Sequence, residues 1–208
     1  MEVGHNGVMK RVHTADEALR RLVDGHERFL RGEAHFPTVQ REVLANLAKG
    51  QQPYATIIGC SDSRVPIEVI FGAGMGDLFV IRVAGNVMSA EVAGSLQYAV
   101  SHLKTPLVVV LGHEGCGAVQ AALATKFKGD RHHSRIQTLV DSVLPGLQDV
   151  DPKLGPARQL SQAVELNVRW TMHQIQDSPE GKARLEEGHV KLMGAIYGLE
   201  SGEVRFLT

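Results

Sequence analysis

Two cysteines occur among the 208 residues of this chain, and each stands where chemistry is possible. Cys60 closes the apolar run Ala55 to Gly59, and Cys116 completes a His-x-x-Cys with His113 just beyond a second apolar run, Pro106 to Leu111. Two thiolates and an imidazole form a soft donor set that selects zinc over magnesium or calcium. Three protein ligands without a fourth leave one position open, the arrangement of zinc that performs chemistry rather than holding a fold. Cys116 also opens an expected helix between Gly115 and Gly117, where the macrodipole favours a thiolate. The interval from Cys60 to His113 is too long for a zinc finger, whose ligands pair on compact local knuckles. A disulfide and two unrelated buried thiols are the competing readings.

Asp62 and Arg64, two and four residues after Cys60, favour the metal. An ionised carboxylate is acceptor-only, so beside a zinc thiolate it can take a hydrogen bond from zinc-bound hydroxide and aim that oxygen's lone pair at a substrate. Arg64 can pair with Asp62 and depress its pKa. An extended segment over 60–64 would set positions 60, 62 and 64 on one side. The bland alternative is a surface ion pair at a strand end, worth little. A cysteine-phosphatase loop needs arginine six residues after its cysteine; Pro66 stands there and excludes it. Because two thiolates cancel the zinc charge, the water it binds ionises less readily than on a three-histidine site, so activity should rise toward alkaline pH.

The elements that must position these groups read as α/β. Ala55 to Gly59, Leu78 to Val83 and Pro106 to Leu111 are short apolar runs rich in Val and Ile, as suits strands buried on both faces of a parallel sheet. Val92, Leu96, Ala99, Val100 and Leu103 share a helical face between the second and third runs, giving βαβ alternation. Helices are expected from near Cys116, over Ser134 to Leu144 and ended by Pro145, and along the stripe Leu160, Val164, Val168, Met172 and Ile175. Val190 to Leu199 reads as a fourth strand, and Glu203 to Leu207 as a short antiparallel edge strand. In an open parallel sheet, ligands bind beyond the carboxyl ends of strands where strand order reverses. If the first and third strands are neighbours, Cys60, His113 and Cys116 meet there.

Ahead of this core, Thr14 and Glu17 form a capping box. Ala18, Leu19, Leu22, Val23, Phe29 and Leu30 follow at helical spacing to a stop at Gly32, and a second helix is expected over Thr38 to Lys49. The whole chain, 1–208, reads as one domain: a helical arm over about 1–50 and an α/β zinc core over about 51–208. The arm can pack on its own core or on another subunit. A hydrophobic share of 43% supports a sizeable core, and a formal charge of -1 gives no reason to expect nucleic acid or an anionic membrane as partner. No apolar stretch approaches the roughly 20 residues of a membrane span. Residues 1–11 lack the apolar region of a secretory signal, so a cytoplasmic address is expected.

The segments Cys60-Ser61-Asp62-Ser63-Arg64-Val65-Pro66 and Gly112-His113-Glu114-Gly115-Cys116-Gly117 together resemble the β-class carbonic anhydrases in motif, order and separation. The resemblance implies reversible hydration of carbon dioxide to bicarbonate and a proton, on one zinc ion held by Cys60, His113 and Cys116. It implies a homodimer or a homotetramer built from dimers, with the N-terminal helices embracing the partner. It also implies Asp62 and Arg64 as the catalytic pair.

Further positions are similar to the plant-like subgroup with an open zinc site. Gln51, nine residues before Cys60, matches a glutamine that donates to substrate oxygen. Phe79 and Tyr98 match pocket aromatics contributed in part across the dimer, and Gly117 follows the last ligand as in the family. Ala84 is smaller than the aliphatic residue often found there. Ile57 replaces the tryptophan of the other subgroup's non-catalytic bicarbonate site. In some members the aspartate matching Asp62 moves onto zinc at low pH. Two alternatives remain: a hydrolase of carbonyl sulfide or carbon disulfide on the same zinc site, and a zinc-stabilised structural or sensory module with a closed fourth position.

Overall fold

The computed structural model describes residues 14–34 and 41–207. The Val- and Ile-rich runs form a five-stranded sheet in the order β2-β1-β3-β4-β5, from β1 (Ala55–Gly59), β2 (Leu78–Arg82), β3 (Leu107–His113), β4 (Lys191–Tyr197) and β5 (Val204–Leu207). β2, β1, β3 and β4 are mutually parallel, and β5 closes one edge antiparallel to β4. Burial explains the composition: every residue of β1 and β3 is buried, which removes any polar face for an alternating pattern to mark.

Successive side chains of these strands feed two cores. On one face Ile58, Val108, Val110 and Ile196 pack with α4 (Ala90–Ser101), α5 (Gly117–Lys128), α6 (Arg135–Val143) and α7 (Pro156–Asp177). On the other, Ala55, Ile57, Leu107, Val109 and Leu111 pack with α1 (Ala15–Leu30) and the short α3 (Ile67–Ile70). Ile57 is thus ordinary core.

The capping box is present at Thr14, and Gly32 follows the end of α1 with φ of 70°. The buried stripe of α1 differs from the expected one. Ala18 and Leu22 are in it, but it continues through Gly25 and His26, while Leu30 is exposed. The reason is close contact: a Cβ on Gly25 would lie 2.0 Å from the Phe71 carbonyl oxygen, so only glycine lets α1 sit on α3. His26 Nδ1 lies 3.0 Å from the Ile70 carbonyl oxygen and Nε2 accepts from the Val204 amide at 3.0 Å, so the ring bridges α1, α3 and β5. α1 therefore rests on its own sheet. The second helix is shorter than expected, α2 (Arg41–Leu47), and buries none of its residues; positions 38–40 of that expectation lie outside the described residues.

The helix expected to end at Pro145 stops at Val143 and tightens into a 3₁₀ turn, Leu144–Leu147, that carries the proline. α3 and α8 (Pro179–Glu186) have no counterpart in the sequence reading, being too short for periodicity to show. No helix of the described residues is long and apolar enough to cross a membrane.

Candidate metal centre

β1 and β3 are neighbours, and the chain order reverses between them, since β2 lies on the far side of β1. Gly59 pairs with Leu111, so Cys60 and His113 leave the sheet side by side at its carboxyl edge. One further turn places Cys116 at the N-cap of α5. The ligating atoms of Cys60, His113 and Cys116 all lie within 4.8 Å of one another, and all three residues are buried. The two thiols are free rather than disulfide-bonded.

His113 is held for ligation. Its Nδ1 lies 2.8 Å from the Glu114 carbonyl oxygen, which takes the ring proton and leaves Nε2 as the donor atom. That Nε2 is buried and has no hydrogen-bond partner. A buried polar atom without a partner is costly, and here it faces two sulfurs, as a soft cation requires. The residues present therefore fit zinc, and among the described residues no fourth side chain completes the group.

The two thiols act on each other. The hydrogen bond from Cys116 pulls the Cys60 thiol well below its ordinary range against the cost of burial, helped by His113 and by the Gly85 amide. Cys116 is pushed up by that same donation to Cys60 and by burial, while the Val119 and Ala118 amides of the α5 N-terminus pull the other way. Burial draws the His113 imidazole down, and the Cys60 thiolate outweighs it and draws the ring up.

Asp62 and Arg64 are not on one side of an extended segment as expected. The Val65 amide donates to the Asp62 carbonyl at 3.0 Å, closing a turn over 62–65. The turn improves the pairing, because it brings both the Arg64 backbone amide and its guanidinium onto one carboxylate. Arg64 Nε donates to Oδ1 at 3.0 Å, Nη2 to Oδ2 at 2.8 Å, and the amide to Oδ1 at 3.0 Å. This fork holds the Asp62 carboxyl well below the usual carboxylate range, against a smaller desolvation cost. Oδ2 also lies 3.8 Å from His113 Nε2, so the carboxylate borders the metal position.

Residues that the sequence reading missed set the frame. Arg82, the last residue of β2, donates from Nε to the Cys60 carbonyl at 3.0 Å and from Nη2 to the Asp62 carbonyl at 2.7 Å. The Gly85 amide donates to Cys60 Sγ at 3.3 Å from a 3₁₀ turn, Ala84–Asn86, at φ of 74°. A Cβ there would lie 2.9 Å from the Ala118 Cβ, so only glycine brings this amide to the sulfur. No sequence motif marks Arg82; an arginine at a strand's carboxyl end beside a ligand loop is the one available signal.

The remaining expected site residues divide. Gly117 is the first residue of α5 and stays with the metal. Phe79 and Tyr98 meet each other, with ring centroids 6.2 Å apart, but Phe79 pairs with Thr56 at the start of β1. Four residues of strand separate that position from Cys60, about 13 Å along the sheet. Gln51 precedes β1 and is exposed. Within one chain these three do not line the metal.

A family model described as carbonic anhydrase matches residues 55–204. Carbonic anhydrase 2 of Mycobacterium tuberculosis is 39% identical over 189 residues, covering 89% of either chain. Among solved structures, the β-carbonic anhydrase CcaA superposes with a TM-score of 0.71 at 28% identity, over 91% of this chain and 95% of that one. The chain belongs to the β-class carbonic anhydrase family. The carbonic anhydrase of Mycolicibacterium smegmatis is similar to the same extent, 38% identical over 90% of both chains. The Coccomyxa β-carbonic anhydrase bound to acetazolamide superposes at a TM-score of 0.70 and 28% identity, over 92% of this chain and 83% of that one. Zinc is the metal of β-class carbonic anhydrases, and the Cys60, His113 and Cys116 cluster is the place for it in this one.

Proposed function

We propose that this carbonic anhydrase hydrates carbon dioxide reversibly to bicarbonate and a proton at an open centre formed by Cys60, His113 and Cys116, with Asp62 as the orienting base. The observation that carries this reading is the partnerless, buried Nε2 of His113, aimed between two thiols and bordered by a carboxylate that Arg64 keeps ionised. Bound there, zinc would supply a Lewis acid that lowers the pKa of water, though less far than a three-histidine site does, and so a nucleophile that grows in toward alkaline pH.

The chain's own residues do the rest. Asp62 accepts a hydrogen bond from the attacking oxygen and turns its lone pair toward the substrate carbon. Arg64 and Arg82 hold Asp62 by its carboxylate and its carbonyl, so it enters the reaction already oriented. Held by that fork, Asp62 is also restrained from turning onto the metal. Gln51 donates its amide N–H to the oxygen on which bicarbonate charge develops. Phe79 and Tyr98 form an apolar wall suited to a small nonpolar gas, and Gly117 leaves the approach beside Cys116 free.

A second copy of the chain completes this pocket. Phe79 and Tyr98 meet at the end of the sheet away from the metal, on the edge strand β2 and the helix after it, and Gln51 precedes the same end of β1. β2 is apolar yet only partly buried from Leu78 to Val80, and Tyr98 is 46% exposed. An apolar edge left this open invites a partner. A two-fold contact along β2 sets the amino end of one strand against the carboxyl end of the other, which carries each copy's aromatics to its partner's metal. We therefore propose a homodimer as the minimal active unit.

Exchange of ¹⁸O between labelled bicarbonate and water tests the reaction. Rapid loss of label, suppressed in Asp62→Asn, supports it. No loss of label above buffer, together with consumption of carbonyl sulfide, assigns the centre to hydrolysis of that substrate instead.

A further inference from the structure

Two polar side chains lie deep in the apolar stripe of α7. Asn167 is 1% exposed and Thr171 fully buried, one helical turn apart on the same face. Asn167 Nδ2 donates to the Gly85 carbonyl at 2.8 Å, and Thr171 Oγ1 donates to the Asn86 carbonyl at 3.1 Å. Gly85 and Asn86 are consecutive residues with positive φ, 74° and 45°. Left-handed backbone at a non-glycine residue is uncommon and persists only where its surroundings enforce it. Here the two α7 side chains enforce it.

The arrangement is poor as mere packing. Asn167 Oδ1 and Asn86 Nδ2 are buried without hydrogen-bond partners. Interior polar atoms in that state destabilise a fold, and an apolar stripe would not carry them. What the clamp secures is the orientation of the Gly85 amide, whose hydrogen ends on Cys60 Sγ. A donor on a thiolate ligand withdraws charge from it, fixes its direction and so tunes the metal it binds.

We infer that Asn167 and Thr171 are positioning residues for the metal centre, acting through the Ala84–Asn86 turn to aim the Gly85 amide at the Cys60 sulfur. The inference rests on the metal-centre reading above, and its test separates the two.

The test uses the full chain loaded with Co²⁺, whose thiolate charge-transfer absorption reports the metal–sulfur bond, together with Zn²⁺ affinity from competition with a chelator. Thr171→Val removes the hydroxyl at constant volume, Thr171→Ser restores it, and Ile175→Ala destabilises the same helix away from the turn. Thr171→Val should shift the absorption and weaken Zn²⁺ binding by about 10-fold, the scale of outer-shell metal contacts. Thr171→Ser should stay near the parent, and Ile175→Ala should lower thermal stability while leaving both metal readouts unchanged. Asn167→Leu, where it folds, should behave as Thr171→Val does. Parent-like absorption and affinity in Thr171→Val overturn the inference, as does an equal metal defect in Ile175→Ala. A parent chain that shows no thiolate absorption with Co²⁺ removes the metal-centre reading and this inference with it.

Discussion

Arg64 grips Asp62 with three donors, two from its guanidinium and one from its own backbone amide, all within 3.0 Å. The guanidinium is 57% exposed and the carboxylate 18%, so the pair adds little to stability. Its consequence lies in where the carboxylate points and in its charge. Asp62→Asn replaces an obligate acceptor by a group that can also donate, and should reduce kcat/KM for hydration by about 10- to 100-fold with little change in melting temperature. An unchanged kcat/KM in stopped-flow assays would remove Asp62 from the reaction.

The same grip sets the acid side of the pH profile. Arg64 holds the Asp62 carboxyl below the ordinary carboxylate range, so the ionised form persists throughout neutral and mildly acid solution. A depressed pKa stabilises the fold above the unfolded value and loses that contribution as pH falls through the folded one. Asp62 should thus stay active at pH values where an unpaired carboxylate begins to protonate. In Arg64→Ala the carboxyl returns toward its ordinary range, and kcat/KM should fall more steeply through that acid range than in the parent. Arg64→Lys should recover part of this, since an ammonium cannot form the two-pronged contact. Superimposable acid limbs in all three proteins would contradict this role.

On the alkaline side the donor set decides. Two thiolates neutralise a divalent cation, so activity should climb from neutral to alkaline pH without levelling near pH 7. A rate flat across that range would mean that the centre holds less negative charge than Cys60 and Cys116 provide.

Gly85 offers a steric test. Gly85→Ala must fit a Cβ 2.9 Å from that of Ala118 and hold an L-residue at φ of 74°. The strain should displace the amide from Cys60 and lower zinc content after dialysis against a chelator. Full zinc retention would show the amide contact to be dispensable.

The two-copy pocket predicts complementation. Asp62→Asn and Phe79→Ala chains, each weak alone, should regain activity when unfolded, mixed and refolded together. In a two-fold dimer one site of each mixed pair then carries neither change, which restores about a quarter of the parent's sites. No recovery on mixing would place Phe79 with its own chain's metal or outside the site.

Sequence made the metal centre and the sheet legible for separate reasons. Cys60, His113 and Cys116 are rare residue types at strand ends, and the strands are short, nearly continuous apolar runs, so type and pattern both speak. Arg82, Gly85, Asn167 and Thr171 were silent. Their importance lies in hydrogen bonds between a side chain and a backbone group 20 or more residues away, as for Asn167 on Gly85, and periodicity carries nothing about those. The buried part of α1 was misjudged at Gly25 and His26 because close approach to Phe71 and a paired imidazole replace apolar bulk there. The turn at 62–65 is hidden in the sequence because alternation of Cys60, Asp62 and Arg64 fits an extended segment equally well.

The proposed hydration of carbon dioxide requires an open metal centre at Cys60, His113 and Cys116. Stopped-flow hydration by the purified zinc protein at alkaline pH tests it most directly, read beside the chelator-stripped chain and Cys116→Ser. Catalysis well above buffer in the zinc protein, lost on stripping, regained with added zinc and absent in Cys116→Ser, is the predicted result. Hydration no faster than buffer in the zinc-loaded parent, or equal rates in Cys116→Ser, would contradict it.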